Sequence, residues 1–530
     1  MREDPGDFTG WTYLLQHVDS KNDVEAGRYC LDLLSPRTSL ITILTYNPFC
    51  REAFSKFLQR YPYCYGYWKK FSDFEKRNGD TARTMEVFEQ GLKAIPLSAD
   101  LWIHFLNHQR AIAAADEMES GGSGNLHVVR QSYERAVAEC GREWRSDKLW
   151  DHYVKWETEA GEMARVYQLY QRILKVPTQG AAHNLELVEA LVKANTPKDL
   201  LPTDKFLALR KEVIERGSLT GTLPSAAEAI PGEDDATAMA SEEENEAIRA
   251  KMVIELKAIY SETEARSKLR WKYEEGIKRP YFHVKPLERG QLKNWQDYLD
   301  FMKVEMAKEE GDLTEVEIIY ERCLIACALY EEFWLDYVNW WESRTDLDES
   351  ERQSRIRGVF ERAGHKHLPT KVELHTRWAA WEEKVGEAGE ASRILEQLEV
   401  AHPGLVNVLL KRVNLERRRG QVKEACKLYE AAIEAAKAAT ASDLAVKYSR
   451  FLRLSLNDGK KAAEVLQAAV DKEPSNSKLY LQQLDLLLHT MPLDVQNVTD
   501  LLDKAVKVIS VLFIPGHDYS SSSSPGRGRV

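Results

Sequence analysis

The stretch that decides the fold covers residues 149–177 and reads LWDHYVKWETEAGEMARVYQLYQRILKVP. Three aromatic residues, Trp150, Tyr153 and Trp156, follow one another in steps of three, and an acid comes next. Steps of three place these rings along one face of a helix. After a short turn, a second apolar pattern runs to Pro177 and ends there, because proline cannot continue a helical hydrogen-bond ladder. The stretch therefore predicts two helices that pack through an aromatic seam.

The same aromatic spacing recurs along the chain, and we interpret the rings as structural positions of a repeat. An acid follows several of the triplets, as at Glu75, Glu157 and Glu382. Because a catalytic carboxylate would have no reason to recur once in each unit, we interpret this acid as structural too. The aromatic positions assigned to the repeat are Trp68, Phe71, Trp102, Trp150, Tyr153, Trp156, Trp295, Tyr298, Trp334, Tyr337, Trp378 and Trp381.

A second pattern follows each aromatic triplet after a turn that often contains glycine. It combines Ala-Arg, an aromatic residue, Glu-Arg-Ala or a similar triplet, and a final proline; the arginines assigned to it are Arg83, Arg165, Arg322 and Arg362. The last two of these arginines are 40 residues apart, which sets the length of one unit. A helix pair of this length cannot bury its apolar face alone, so neighbouring pairs must stack. The sequence thus predicts an all-α, superhelical solenoid.

Composition agrees with a helical chain and limits the function classes. The chain has 13 Trp and 22 Tyr but only 28 Gly and 18 Pro among 530 residues, fewer turn residues than a β-rich chain needs. Its net charge of −11 argues against a protein that coats nucleic acid by bulk charge. The seven cysteines are scattered, which argues against a disulfide framework. With no signal-peptide layout and no uncharged apolar run long enough for a bilayer, we expect a soluble intracellular protein without membrane contact.

No catalytic or cofactor motif is present. The sequence contains no P-loop, no dinucleotide-binding glycine pattern and no zinc-protease or nucleophile-elbow motif. Cys323 and Cys327 stand one helical turn apart, but no suitably spaced partner accompanies them, so we assign them to the core. His365 and His367 are assigned to a surface turn before Pro369. We therefore expect no enzyme, no cofactor and no metal site.

The repeats fall into two predicted arms. We assign an N-terminal repeat arm to 1–177, an acidic and partly disordered linker to 178–250, a C-terminal repeat arm to 251–510 and a disordered tail to 511–530. Residues 27–50 interrupt the first repeat and are interpreted as an insertion, because joining the flanking residues restores the repeat pattern.

Charge runs leave two interpretations open. Residues 224–247 hold eight acids and no Lys or Arg, which is typical of a solvated linker but also suits a docking site for a basic partner. Basic clusters occur at Lys278-Arg279 with Lys285, and at Arg417-Arg418-Arg419 near Lys411-Arg412. These clusters are either ordinary solvated helix faces or contacts to RNA or an acidic partner.

The repeat spacing and aromatic positions resemble half-a-tetratricopeptide (HAT) repeats. Two stretches are more specific than the repeat itself: YPYCYGYWKK at 61–70 and EGIKRPYFHVKPL at 275–287. They resemble the pre-mRNA-processing factor 39 family, and the resemblance runs from about residue 5 to 508 outside 27–50.

This resemblance implies a nuclear, non-enzymatic scaffold of the U1 small nuclear ribonucleoprotein that acts in 5′ splice-site recognition and alternative splicing. The implied partners are U1 proteins and other splicing factors, and any contact with U1 RNA or pre-mRNA is indirect or weak. The family also implies a homodimer through the C-terminal arm, which depends on the last repeats. It offers no catalytic residues, and the partner-binding surfaces stay unassigned. The alternatives are a direct RNA-binding repeat protein and a HAT scaffold of another complex, such as the 3′-end cleavage machinery.

Overall fold

The computed structural model describes residues 7–21, 50–120, 125–220, 242–308, 313–489 and 495–512. Every regular element in these ranges is helical, and no strand occurs within them. The predicted all-α class is therefore confirmed. The predicted insertion lies outside the described residues except for Cys50, and so does the predicted tail beyond residue 512.

The described chain divides into two compact units, Met1–His367 and Leu368–Val530. The first unit contains these helices, the second of them given by its described part: Phe8–Lys21, 50–60, Tyr65–Arg77, Thr81–Ala94, Ala99–Ser120, Asn125–Cys140, Asp147–Glu159, Met163–Ile173, Ala181–Ala194, Pro197–Leu200, Thr203–Thr220, Glu242–Gly276, Arg289–Lys308, Leu313–Cys327, Glu331–Glu342 and Glu349–Glu361. A π-helical turn over Arg362–His367 ends the unit.

Consecutive helices in this unit pack as antiparallel hairpins, each stacked on the next. The turns inside the hairpins contain the glycines that the repeat pattern predicts. Gly79 and Gly161 have φ angles of +75° and +78°, in the left-handed region that residues with a Cβ rarely adopt. Asp80 then begins the next helix, because its side chain accepts a hydrogen bond from the Arg83 amide at 3.0 Å.

The segment predicted as a linker is largely helical where it is described. Helix Ala181–Ala194 packs against the long helix Glu242–Gly276 and buries Val188 and Val192 against Ile248 and neighbouring residues. Lys257 and Glu189 form an ion pair of 3.2 Å across the same contact. Most of the acidic stretch, residues 221–241, lies outside the described residues.

The boundary between the compact units differs from the predicted division into arms. It falls after His367, whereas the sequence placed the division within 178–250. The reason is physical, because helices from both sides of that segment bury apolar and charged side chains against one another. We call the hairpins before residue 178 the N-terminal row and those from 289 to 361 the C-terminal row; both rows belong to the first unit.

The second unit continues the hairpin pattern. Its helices are Val372–Val385, Ala388–Ala401, Val406–Arg418, Val422–Ala435, Ala438–Leu456, Gly459–Lys472, Ser477–Leu488 and Val495–Leu512. A continuous apolar core runs through the later hairpins and includes Leu409, Tyr448 and Leu466. Each hairpin therefore buries its apolar face against its neighbours, as a repeat array requires.

Candidate functional site

The aromatic residues assigned to the repeat are buried in the structure. Each of the following is at most 8% exposed: Trp68, Phe71, Trp102, Trp150, Tyr153, Trp156, Trp295, Tyr298, Trp334, Tyr337, Trp378 and Trp381. Within a hairpin the rings stack closely, as with Tyr133 and Tyr153, whose centroids lie 4.5 Å apart. These rings fill the seams between helices and are not exposed for stacking on nucleic-acid bases.

The first tryptophan of a hairpin is fixed by the residue that ends the preceding hairpin. The indole N–H of Trp68 donates to the Pro62 carbonyl at 2.8 Å, and that of Trp102 donates to the Pro96 carbonyl at 2.8 Å. Trp334 donates to the Ala328 carbonyl in the same way. The proline ends one helix and leaves its carbonyl free, and the next tryptophan satisfies it.

A Glu–Arg ladder connects the second helices of successive hairpins. It consists of the pairs Glu89–Arg135, Glu134–Arg172, Glu274–Arg322 and Glu321–Arg362. Each arginine donates two hydrogen bonds to the glutamate of the preceding unit, at 2.5–2.9 Å. The same guanidinium lies 5.3–5.9 Å from the ring centre of the first tryptophan in its own hairpin. The ladder therefore fixes each unit to the unit before it.

The four arginines assigned from the sequence separate into two groups. Arg322 and Arg362 belong to the Glu–Arg ladder, whereas Arg83 and Arg165 lie on the surface. Arg83 pairs with Asp80 within its own helix start at 3.2 Å, and Arg165 pairs with Glu162 at 3.7 Å. Three of the four ladder arginines, Arg135, Arg322 and Arg362, belong to the Glu-Arg dipeptide at the centre of the pattern, and Gln171 precedes the fourth, Arg172.

The acid that follows each aromatic triplet is also buried and paired. Glu75 and Glu157 are each at most 1% exposed. Arg51 donates to both oxygens of Glu75 at 2.7 Å, and Arg130 donates to those of Glu157 at 2.7 and 2.8 Å. This geometry places the recurring carboxylate in an interhelical ion pair.

The two stretches that carry the family resemblance meet in space. Tyr61 and Tyr63 lie 6.2 and 6.4 Å from Phe282, measured between ring centres. His367 packs on Tyr63 at 4.2 Å. Sequence reasoning missed this junction, because the residues are more than 200 positions apart and no local pattern connects them.

A buried ion cluster joins the two rows at a second place. The Arg322 guanidinium contacts Glu143 at 2.7 Å from the N-terminal row, and it also pairs with Glu274. Tyr298 donates to Glu274 at 2.8 Å. Burial raises the pKa of Glu143, although the charge of Arg322 opposes this shift. Burial opposes the charged form of Arg322, but Glu143 and Glu274 outweigh it and raise the pKa of the guanidinium.

Between the rows lies an open cavity of about 860 Å³, which we call the central cleft. Its walls come mostly from second helices of both rows, with helix Tyr65–Arg77 and the turn at 362–367 completing them. Representative lining residues are Leu58, Pro62, Tyr63, Phe71, Lys93, Glu139, Glu317, Ile318, Arg355, Arg362 and Lys366. Burial raises the pKa of Tyr63 to about 12, so this phenol is neutral near physiological pH. The central cleft is the candidate functional site.

The residues weighed as metal ligands lie in the core or at its edge. Cys323 and Cys327 are buried as predicted, and His365 is exposed. The assignment of His367 to a surface turn is wrong, because this ring is buried against Tyr63 at 4.2 Å. Within the described ranges, no group of three or more His, Cys, Asp or Glu side chains is placed to hold a metal ion. No helix in those ranges is both long and apolar enough to span a membrane.

The fold and the ladder define a HAT-type helical-repeat protein, and comparison with known families agrees. The model "PRP39 N-terminal HAT repeat" matches residues 39–189, and "PRP39 C-terminal HAT repeat" matches residues 268–418. The chain is 38% identical to human pre-mRNA-processing factor 39 over 515 residues, which covers 96% of this chain and 70% of the relative. It is 30% identical to the Schizosaccharomyces pombe protein of that name, covering 79% and 62%. The chain belongs to the pre-mRNA-processing factor 39 family.

Among solved structures, the crystal structure of CstF-77 aligns with a TM-score of 0.44 and 11% identity, over 87% of this chain and 92% of that chain. A likeness of this degree carries no functional argument. The family assignment rests on the sequence matches alone.

Proposed function

We propose that this chain is a non-enzymatic scaffold of the U1 small nuclear ribonucleoprotein that acts in the nucleus, in 5′ splice-site recognition and alternative splicing. Family membership supports a role in pre-mRNA splicing, since the relatives are named pre-mRNA-processing factors. The implied partners are U1 proteins and other splicing factors. This function suits a repeat array, because stacked units present long surfaces to several proteins at once.

One observation carries the proposal: the chain pairs the recurring charges of its repeats internally. The Glu–Arg ladder and the buried acids Glu75 and Glu157 hold successive helices in register. Recurring polar residues therefore support the shape of the array. A protein whose shape is fixed in this way is suited to hold partners at defined positions.

The basic clusters favour protein contacts over direct RNA binding. In the cluster at 411–419, Arg412 pairs with Glu399 at 2.8 Å and Arg419 pairs with Glu416 at 2.8 Å. Arg418 also donates to both oxygens of Glu383. In the other cluster, Arg279 donates to the Lys285 carbonyl at 2.7 Å and so shapes its own turn. Cations that are paired within the chain are less available to phosphates.

The test is recovery of small nuclear RNAs with the tagged chain from nuclear extract. We expect enrichment of U1 RNA over U2 RNA. When the protein is depleted, we expect weak 5′ splice sites to be used less often. Recovery of U1 RNA at the level of an untagged control would contradict the proposal. Recovery of a 3′-end cleavage complex in place of U1 would favour the alternative HAT scaffold.

A further inference from the structure

The central cleft carries cations that the chain does not neutralise. Lys93 lies in the last turn of helix Thr81–Ala94, and Lys366 lies in the π-helical turn across the cleft. Both side chains are exposed, and neither forms an ion pair with a described carboxylate. Arg60 lies beside this turn and donates to the Lys366 carbonyl at 3.2 Å. Unpaired positive charge therefore lines the cleft.

The other charges of the central cleft are already paired. Arg355 donates to both oxygens of Glu317 at 2.8 and 2.9 Å, and Arg362 is held in the Glu–Arg ladder. Glu139 is the remaining lining carboxylate without a described ion pair. The cleft is thus locally basic in a chain whose net charge is −11. A ligand of negative charge is attracted here although the chain as a whole is acidic.

The walls between these charges are apolar. Pro62 and Leu97 come from the N-terminal row and Ile318 comes from the C-terminal row, and all three are partly exposed. A cavity of about 860 Å³ is large enough for a short stretch of peptide. The combination of apolar walls and unpaired rim cations matches a segment with acidic side chains and interspersed apolar ones.

We propose that the central cleft is a docking site for an acidic peptide segment of a partner protein, with Lys93 and Lys366 contacting its carboxylates. RNA fits the site less well. Its aromatic lining residues Tyr63, Trp68 and Phe71 are buried in the helix seams and offer no face for base stacking. The unpaired cations are also too few to follow a phosphate backbone.

This inference rests on the proposed scaffold function and adds the chemistry of one partner. The docking site and the scaffold function can be refuted separately. Recovery of U1 RNA without acidic-peptide binding would overturn only the docking site. Acidic-peptide binding without U1 recovery would overturn only the proposed function.

The experiment is fluorescence anisotropy on the full chain with a fluorescein-labelled short peptide in which glutamates alternate with leucine and proline. The Lys93→Glu/Lys366→Glu double variant should bind about five- to tenfold more weakly than the unchanged protein. A matched control, Lys155→Glu/Lys193→Glu, makes the same change in net charge at exposed lysines outside the cleft lining and should bind within about twofold.

A neutral variant separates the cleft from general charge attraction. Ala138 is exposed and lines the cleft, so Ala138→Trp fills the space without changing charge. It should weaken peptide binding to a similar degree while leaving the thermal melting curve unchanged.

Four results would overturn the docking site. The first is no saturable anisotropy change up to about 1 mM peptide. The second is equal weakening by both double variants. The third is equal binding of a peptide with glutamine in place of glutamate. The fourth is displacement by single-stranded oligouridine at the same concentration as by unlabelled peptide.

Discussion

Arg322 and Glu143 form a buried ion pair of 2.7 Å although they stand on opposite sides of the segment 178–250. The arginine comes from the second helix of a C-terminal-row hairpin, and the glutamate follows the last turn of helix Asn125–Cys140. The contact joins two rows that the sequence pattern treats as separate arms. It makes Arg322 both a member of the Glu–Arg ladder and the link between the rows.

Replacement of Arg322 tests this link. Arg322→Ala leaves Glu143 and Glu274 buried without their cation, and we expect the free energy of unfolding to fall by about 3–5 kcal/mol. The matched control is Arg135→Ala, which removes a half-exposed pair of the same ladder and should cost no more than about 1 kcal/mol. Chemical denaturation of both variants measures the difference, and equal losses would contradict the link.

The hydrogen bond from the Trp102 indole to the Pro96 carbonyl predicts that two Trp→Phe substitutions differ in their effect on stability. Trp102→Phe keeps an aromatic ring but leaves the Pro96 carbonyl without its donor, so we expect a loss of about 1–3 kcal/mol. Trp271 is 48% exposed, and Trp271→Phe should change stability by less than about 0.5 kcal/mol. Thermal melts of the two variants would contradict this account if they shift the midpoint by the same amount.

His367 predicts a pH dependence of stability. Burial, together with Arg362, Arg60 and Lys366, lowers the pKa of its imidazole from 6.5 to about 3. Between these values the unfolded chain binds a proton that the folded chain does not, so this residue's contribution to stability falls as pH falls from 6.5 towards 3. The loss is at most about 1.4 kcal/mol for each pH unit.

The His367→Phe variant keeps a ring against Tyr63 and removes the titration. The stability of the unchanged protein relative to this variant should therefore fall between pH 6.5 and 5. Denaturation midpoints at several pH values supply the measurement. A difference between the two proteins that stays constant over this range would show that His367 does not titrate as predicted.

The family resemblance implies a homodimer through the C-terminal arm, and exposed leucines of that arm offer a test of it. Leu481 and Leu502 are 57% and 42% exposed on helices Ser477–Leu488 and Val495–Leu512. Exposed apolar residues on neighbouring helices suit a contact with a second copy. We expect Leu481→Glu/Leu502→Glu to convert a dimer to a monomer in light scattering, whereas Leu454→Glu, at a 73% exposed site of an earlier hairpin, leaves it dimeric. A monomer before mutation would refute the dimer.

The sequence predicted the parts of this fold that depend on local periodicity. Steps of three identified rings such as Trp150 and Tyr153, which are each 2% exposed in the structure. The turn glycines were equally predictable, because Gly79 and Gly161 stand where the helical pattern stops. These features are encoded within one hairpin, so a single stretch of sequence contains the whole pattern.

Contacts between different hairpins were not predictable in the same way. The pairing of Arg362 with Glu321 needs knowledge of how one hairpin stacks on the next. The contact of Tyr63 with Phe282 and His367 needs the path of the chain through several hairpins. Sequence periodicity does not determine the small rotation from unit to unit that sets these distances.

The proposed function makes this chain a protein-binding scaffold of the U1 particle. Gradient sedimentation of the purified chain with purified U1 particles and, separately, with protein-free U1 RNA tests this directly. We expect the chain to move with the particle at physiological salt and to stay at the top of the gradient with the RNA alone. Equal co-sedimentation with protein-free RNA, or none with the particle, would contradict it.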